Sequence, residues 1–535
     1  MGEPGRTWHI NDFARPLWHA DLAQAIDTIT SSDFGISGLT LMENAAKAVV
    51  HQMRQIPDFK ARTVIVLAGQ GNNGGDGLAI ARLLQSEGIA PTVFMTGEDP
   101  ARLSPECAEQ LKRCRAAGII IQPWQENCLA RWMSLPVIVV DAVFGLGFRG
   151  PLLTGVAASM LREAEHLTRK VVVAVDLPSG MNADSGDLPE GGSVLLPASM
   201  TVTFGEWKPL HALAPARDAC GVVYCADIGF PEAAIALARR NHPPCFLIAD
   251  DRKLLVKNPW GALPPSANKF DRGHVMVLGG SPGKTGAPYL TGLAALRSGV
   301  GWVSLSLPEN AKGGPSFAAP PEITYESFWT GPRLDAEAIE TFLTARRVRA
   351  VVVGPGTMEQ PVDDRLAAVL AAFTRSGGGV VFDAGATRGL LPILLRHRWD
   401  INRVLCTPHP GEWGRIGEVL PNPQSCTELE GLAPALADVA ATFVYKGATP
   451  VIVNGAGQTK PALICAGGSN ILARAGTGDV IAGVAAAHMA AGIPADISFA
   501  RSYALVARTA RLVAEKIGSD AVLATDIIHS LGVKE

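Results

Sequence analysis

The chain has 535 residues, past the roughly 250 to 300 at which a single core stops growing, so more than one domain is expected. Its 47 Lys and Arg against 50 Asp and Glu give a formal net charge of -3 with no block of like charge, which excludes a basic footprint for nucleic acid. The nine cysteines show no CxxC or Cys/His ligand spacing, the start carries neither a secretion nor a lipidation signal, and the most apolar long stretch, 480–490, is shorter than the ~18 residues needed to cross a bilayer; reduced thiols in a cytoplasmic protein away from membranes are expected.

Apolar runs alternate with helix-like segments throughout, predicting an α/β protein with parallel sheets covered on both faces. In the first half the strand-like runs are 63–68, 91–95, 118–121, 137–140, 171–175 and 200–204, most of them continuously apolar as strands buried on both faces should be. Prolines crowd the stretch that follows, so residues 231–268 are expected as a linker, with a short helix over 233–240, between domains spanning 1–230 and 269–535. The second half restarts with runs at 274–278, 303–307, 351–353, 380–382, 404–406 and 443–453. No repeat links the halves, which points to a fusion of different domains.

Directly after the first run stands Gly69-Gln70-Gly71-Asn72-Asn73-Gly74-Gly75-Asp76-Gly77, followed by a helical pattern over 78–85. Strand, glycine loop and helix in this order favour an anion at the helix N-terminus, although the spacing is neither the usual dinucleotide fingerprint nor a Walker loop. A tight turn is the bland alternative; the Asn and Asp oxygens suit a hard cation or a ligand hydroxyl. Two more runs end in acids, Asp141 before Phe144-Gly145-Leu146-Gly147-Phe148-Arg149-Gly150-Pro151 and Asp176 before Leu177-Pro178-Ser179-Gly180. Strand ends in open α/β sheets form the ligand crevice, so these loops are expected to converge.

Together with Leu41-Met42-Glu43-Asn44-Ala45-Ala46, these segments resemble the NAD(P)H-hydrate epimerase family over about 18–230, and a Rossmann-like doubly wound sheet follows from that resemblance. It implies that Asn72, Asn73, Gly74, Gly75 and Asp76, the residues Gly145, Leu146, Gly147, Phe148, Arg149, Gly150 and Pro151, and Asp176 contact hydrated NADH or NADPH. It further implies that Asn73, Asp141 and Ser179 hold a potassium ion. The segment ending in Lys208 shares the likeness without a role for that lysine, leaving a solvated side chain as the bland reading. Epimerisation can run through loss of hydroxide to an iminium ion and re-addition of water from the other face, with Asp176 expected as acid/base and Asp141 as organiser of the metal.

Late in the chain Gly476-Thr477-Gly478-Asp479 opens a helix pattern of small residues. Amides at such a start stabilise a phosphoryl group in transfer, and Asp479 is placed to take the proton of an attacking hydroxyl; a plain Asp-capped helix is the alternative. Gly279-Gly280-Ser281, Gly354-Pro355-Gly356, Pro408-His409-Pro410 and Lys446-Gly447-Ala448 follow other runs and should meet it at the strand ends. His409, by itself more often a satisfied loop histidine, gains weight from the rigid turn beside Glu412. The set resembles the ADP-dependent NAD(P)H-hydrate dehydratases, of ribokinase-like fold, over about 269–531. That resemblance implies hydrate contacts at Ala287, Gly356, His409 and Asp479. It places ADP or ATP, with Mg2+, at Lys446, Gly447, Ala448, Thr449, Pro450 and Gly478. Three departures stand out: Gly385 where the family carries a second aspartate, Pro450 where it favours threonine, and Arg474 just before the turn. A ribokinase-like small-molecule kinase and a binding scaffold are the competing readings of this half, and the chain is expected to act as a homo-oligomer.

Overall fold

The computed structural model describes residues 8–148, 150, 154–189, 191–256, 258–311, 321–331, 333–417, 432–455 and 460–532. The chain divides into two compact units, one running from Pro16 to Cys245, the other joining the residues before Pro16 to the chain from Phe246 onward. A short strand, β1 (Ala14–Pro16), comes first.

The first unit is built on β2 (Thr63–Ala68), β3 (Thr92–Met95), β4 (Ile121–Pro123), β5 (Val137–Ala142), β6 (Lys170–Val175), β7 (Met200–Phe204) and β8 (Val222–Ala226). They form one parallel sheet in the order β4-β3-β2-β5-β6-β7-β8. The chain winds outward from β2 in one direction and from β5 in the other, so the switch point, where α/β sheets open their ligand crevice, lies between these two strands. Successive residues face opposite layers. Val64, Val66, Ile138 and Val140 pack with Val49, Leu78 and Leu111 on one side, while Ile65, Leu67, Val137 and Val139 pack with Ala158 and Leu161 on the other. This is the doubly wound arrangement expected.

Two details differ from the sequence reading. The helix after β2 spans Asn72–Ser86, so most of the expected glycine loop is helix. Glycine sits there because nothing larger fits: a methyl group on Gly74 would lie 2.0 Å from the Gly69 carbonyl oxygen, and one on Gly77 2.6 Å from Ala142 Cβ. The strand expected at 118–121 begins only at Ile121, since Gly118, at φ +74°, closes the preceding helix.

The second unit contains β9 (Phe246–Ala249), β10 (His274–Leu278), β11 (Trp302–Ser306), β12 (Ile323–Glu326), a small hairpin of β13 (Trp329–Thr330) and β14 (Arg333–Leu334), β15 (Ala350–Val353), β16 (Gly379–Phe382), β17 (Val404–Cys406), β18 (Thr442–Tyr445), β19 (Val451–Asn454) and β20 (Ala462–Ile464). Its main sheet runs β1-β9-β20-β19-β18-β17-β16-β15-β10-β11-β12. It is parallel from β12 to β18, with antiparallel pairing of β18 with β19 and of β19 with β20. The single run expected at 443–453 is therefore a hairpin, broken by Gly447 and Pro450.

Helix Thr477–Ala490 is buried almost all round. Its small residues allow close approach to helix Gly286–Arg297, since a methyl group on Gly483 would meet the Thr291 carbonyl oxygen at 2.1 Å. Residues 231–268 do not stand apart as a linker. Helix Glu232–Asn241 packs Ala238 against Trp18, Leu22 and Ile26 in the first unit, while β9 pairs with β20 in the second. The division between Cys245 and Phe246 falls inside that stretch.

Candidate active sites

A cavity of about 560 Å³ opens at the carboxyl ends of the first unit's strands. Of the residues expected there, Asn72, Asn73, Asp76, Gly145, Leu146, Gly147, Phe148 and Asp176 line it. Gly74 and Gly75 are buried behind the helix start and do not line it; Gly150 lies against the Phe148 ring. Arg149 and Pro151 lie outside the described residues. Trp18, Asp27, Glu106, Phe204 and Lys208 also line the cavity, and none of them was singled out for it by a motif. The Trp18 indole Nε1 is buried without a hydrogen-bond partner among the described residues.

Asp141, fully buried, ties the loops after β5 and β6 together. Its Oδ1 accepts from Ser179 Oγ at 2.6 Å and its Oδ2 from the Ser179 amide at 2.9 Å, while Ser179 Oγ accepts from the Phe144 amide at 2.8 Å. Burial pushes the Asp141 carboxyl up to about 6, with the Ser179 bonds opposing. Asn73 packs its amide against Gly145, and its Nδ2 is buried without a partner among the described residues. Turning that amide over would present an oxygen instead. A carboxylate, an amide oxygen and a hydroxyl are hard oxygen donors of low total charge, a chemistry that suits a monovalent cation. No group of three or more His, Cys, Asp or Glu suited to a metal occurs among the described residues.

Asp176 ends β6 at φ +67°, a left-handed conformation rare for aspartate. Its amide is held by the Val202 carbonyl at 2.8 Å and its Oδ1 accepts from Thr203 Oγ1 at 2.8 Å and from Lys208 Nζ at 2.7 Å. Lys208 is 1 % exposed, so the solvated-lysine reading is overturned. Its ammonium is fully used, donating also to Thr203 Oγ1 at 2.7 Å and the Phe204 carbonyl at 3.0 Å. The Lys208 amide donates to His211 Nδ1 at 3.0 Å, so His211 donates from Nε2 to the Asp176 carbonyl, also at 3.0 Å. Burial and the Lys208 charge push His211 down to about 3, keeping it neutral. Burial acts to raise the Asp176 carboxyl, but the Lys208 ammonium and its hydrogen bond win and hold it below the usual carboxylate range. Asp76 has no such cation among the described residues. Burial first, then the charges of Asp176 and Asp27, push its carboxyl well above the ordinary value.

In the second unit the switch point lies between β10 and β15, where the Gly280 amide donates to the Pro355 carbonyl at 2.8 Å and Ser281 Oγ to the Gly356 carbonyl at 2.7 Å. Gly356 approaches Ala287 closely, a methyl group there lying 3.3 Å from Ala287 Cβ. Lys446, after β18, donates to Asp383 Oδ1 at 2.7 Å, and that oxygen also accepts from Thr407 Oγ1 at 2.6 Å. A methyl group on Gly478 would sit 3.9 Å from Lys446 Nζ, so the lysine reaches the start of helix Thr477–Ala490. Burial and the Asp383 charge lift the Asp479 carboxyl to about 7, with Lys446 opposing.

Asp383 is thus a site residue known beforehand only as the first acid of an altered segment. Gly385 has a physical reason: a Cβ there would lie 2.4 Å from Thr357 Oγ1. His409 caps the short helix Pro410–Trp413, its Nδ1 accepting from the Gly411 amide at 3.0 Å, with Glu412 Oε1 3.3 Å from its Nε2. Its ring is nonetheless more than half exposed. In the hairpin loop Gly447 lies against the Tyr445 ring and Ala448 is exposed, whereas Thr449 and Pro450 are buried, Pro450 accepting from the Cys465 amide at 2.9 Å.

Two α/β units, each with charged residues gathered at the carboxyl ends of its strands, define a two-site enzyme of small-molecule chemistry. The YjeF-related protein N-terminus family matches residues 38–210 and the NAD(P)H-hydrate dehydratase family residues 275–532. The chain is 31 % identical over 533 residues to the bifunctional NAD(P)H-hydrate repair enzyme Nnr of Moorella thermoacetica, covering 96 % of this chain and 95 % of that protein. To the enzyme of the same name from Escherichia coli it is 30 % identical, covering 96 % and 93 %. A solved ADP/ATP-dependent NAD(P)H-hydrate dehydratase from Bacillus subtilis, co-crystallised with ATP and Mg2+, is 23 % identical, with a TM-score of 0.41, over 52 % of this chain and 94 % of that one. The chain belongs to the family of bifunctional NAD(P)H-hydrate repair enzymes, pairing an epimerase with a dehydratase as its loops led us to expect.

Proposed function

We propose that the first unit epimerises hydrated NADH and NADPH and that the second dehydrates the S epimer with ADP and Mg2+, returning NAD(P)H, AMP and phosphate. The observation that carries this reading is the presence, on one chain, of a lysine-bound aspartate in a cavity at the strand ends of one unit and a titratable aspartate at a helix start in the other.

In the first unit the ionised Asp176 faces the positive charge that develops as hydroxide leaves the substrate ring, and orients the water that adds to either face; the proton that water gives up is taken by the released hydroxide, so none is gained or lost overall. Asn72, Asp76 and residues 145–148 hold the dinucleotide, with aromatic walls at Phe148 and Phe204. Asn73, Asp141 and Ser179 would hold a potassium ion, which supplies fixed positive charge to order the loops around the substrate. In the second unit Asp479 takes the proton of the substrate hydroxyl as that oxygen attacks the phosphoryl group, and phosphate then leaves. The amides at Gly478 and the Lys446 ammonium stabilise the transferring charge, Gly447, Ala448, Thr449 and Pro450 border the nucleotide, and Ala287, Gly356 and His409 border the hydrate. Bound Mg2+ would screen the phosphates.

The module boundary falls within 231–268. A cytoplasmic location is supported by free thiols at Cys107, Cys114, Cys128, Cys220, Cys406 and Cys465, and no described helix is long and apolar enough to cross a membrane. A homo-oligomer is supported by the edge strand β8, which exposes Val222 and Tyr224.

Purified protein given mixed R and S hydrates should equilibrate them without nucleotide and consume both when ADP or ATP is added with Mg2+, as followed by chromatography. Loss of the S epimer alone would remove the epimerase assignment. A phosphorylated product that accumulates would make the second unit a kinase.

A further inference from the structure

The most unusual group in the first unit is Lys208, a lysine almost without solvent contact whose neighbours take every donor it has. Lysine is rarely buried so completely unless paired. Its partner lines the reaction cavity, and the pairing is one-sided. Lys208 and Thr203 both bond Oδ1 of Asp176, whereas Oδ2 takes no hydrogen bond from any described residue. The network also fixes the main chain, because His211 grips the Asp176 carbonyl and is itself held by the Lys208 amide. That grip bears on the one aspartate of the site whose backbone is left-handed.

Resting on the epimerase reading, we propose that Lys208 is a positioning residue: acting through Thr203 and His211, it commits one oxygen of Asp176 to the protein, turns the other to the substrate and keeps the carboxylate charged throughout the reaction. The charged and titratable groups around Asp176 are Lys208 and His211 from the segment after β7 and Asp76 from helix Asn72–Ser86, with Asp27 and Glu106 on the same cavity wall. The acids raise the cost of a second negative charge, His211 is neutral, and Lys208 alone among these groups supplies a positive charge. Thr203 relays it, accepting from the ammonium and donating to the carboxylate.

The test is the pH dependence of epimerisation in the full-length protein, with purified R epimer and the enzyme-free rate subtracted. Lys208→Met leaves Asp176 buried without its cation, so the acid limb of kcat should move up by about one pH unit or more, with kcat reduced and KM nearly unchanged. Thr203→Val keeps the ammonium but removes the relay, and should move the limb the same way by less. A cooperative denaturant-unfolding transition of the first unit that matches the wild type reports that it is folded, and where Lys208→Met fails to fold, the Thr203→Val profile decides the matter. A limb that stays at the wild-type pH in the folded variants, with the rate merely scaled, would overturn the proposal. Wild-type protein that does not equilibrate the epimers would overturn the epimerase reading itself, and the proposal with it.

Discussion

Each unit sets a lysine 2.7 Å from a strand-end aspartate, and the two pairs differ in which carboxylate the lysine holds. In the first unit Lys208 holds Asp176, the residue that lines the cavity, and that carboxyl is drawn below its ordinary range. In the second Lys446 holds Asp383, and the neighbouring Asp479 is left half-compensated and lifted to about 7. On the proposed roles, the same ion pair serves opposite chemistry. Clamping the working carboxylate yields a permanent anion, suited to opposing a cationic intermediate. Clamping its neighbour yields a carboxyl poised to exchange a proton near neutrality, suited to a base for a hydroxyl.

The largest effects should come from removing each working carboxylate singly. Asp176→Asn is expected to cut epimerisation by about 10²- to 10⁴-fold while leaving dehydration of purified S epimer intact, and Asp479→Asn to do the reverse. Separate assays on each purified epimer check this. If either variant lost both activities, the two sites would not be the independent centres that the comparison requires.

A smaller effect sharpens the contrast in proton affinity. If Asp479 is the proposed base it works only when ionised, so at saturating nucleotide kcat for dehydration should fall about tenfold per pH unit below about 7 and level off above it. Lys446 draws Asp479 down, so Lys446→Met should shift that limb to higher pH while epimerisation in the same protein keeps its wild-type profile. A limb that stays in place would mean that Asp479 is not the titrating group.

How much of this was legible beforehand follows from how local each feature is. The inner strands were readable because they are continuously apolar, whereas β8 was not, since its exposed residues carry no burial pattern. Strand-end acids announced Asp141 and Asp176. Lys208 was invisible as a site residue because nothing near it in sequence says that its ammonium turns inward to an aspartate 32 residues earlier. Trp18 reaches the same cavity from the segment before helix Ala20–Ser32, Asp27 from that helix and Glu106 from helix Pro105–Ala116, and only tertiary packing brings the three together. The glycines of the first loop were legible as a motif but not for their cause, which for Gly74 is close approach to the Gly69 backbone and for Gly77 close packing of the helix on the sheet.

The last contrast concerns the segment Asp383-Ala384-Gly385, where the resemblance to the dehydratases led to the expectation of a second acid. Asp383-Ala384-Gly385 lacks the second acid of the dehydratase pattern, and a Cβ at Gly385 would meet Thr357 Oγ1 at 2.4 Å and the Thr357 carbonyl oxygen at 2.6 Å. Thr357 cannot readily yield, because its amide and hydroxyl both bond the Gly354 carbonyl, at 2.8 and 2.9 Å. Gly385→Asp should therefore cost about 1–3 kcal/mol of stability in the second unit without raising dehydration, measured by denaturant unfolding beside the rate on the S epimer. If the substitution left stability unchanged and accelerated dehydration, the altered segment would be a weakened nucleotide site. The packing argument would then fail, and the second unit would be the lesser of the two catalysts.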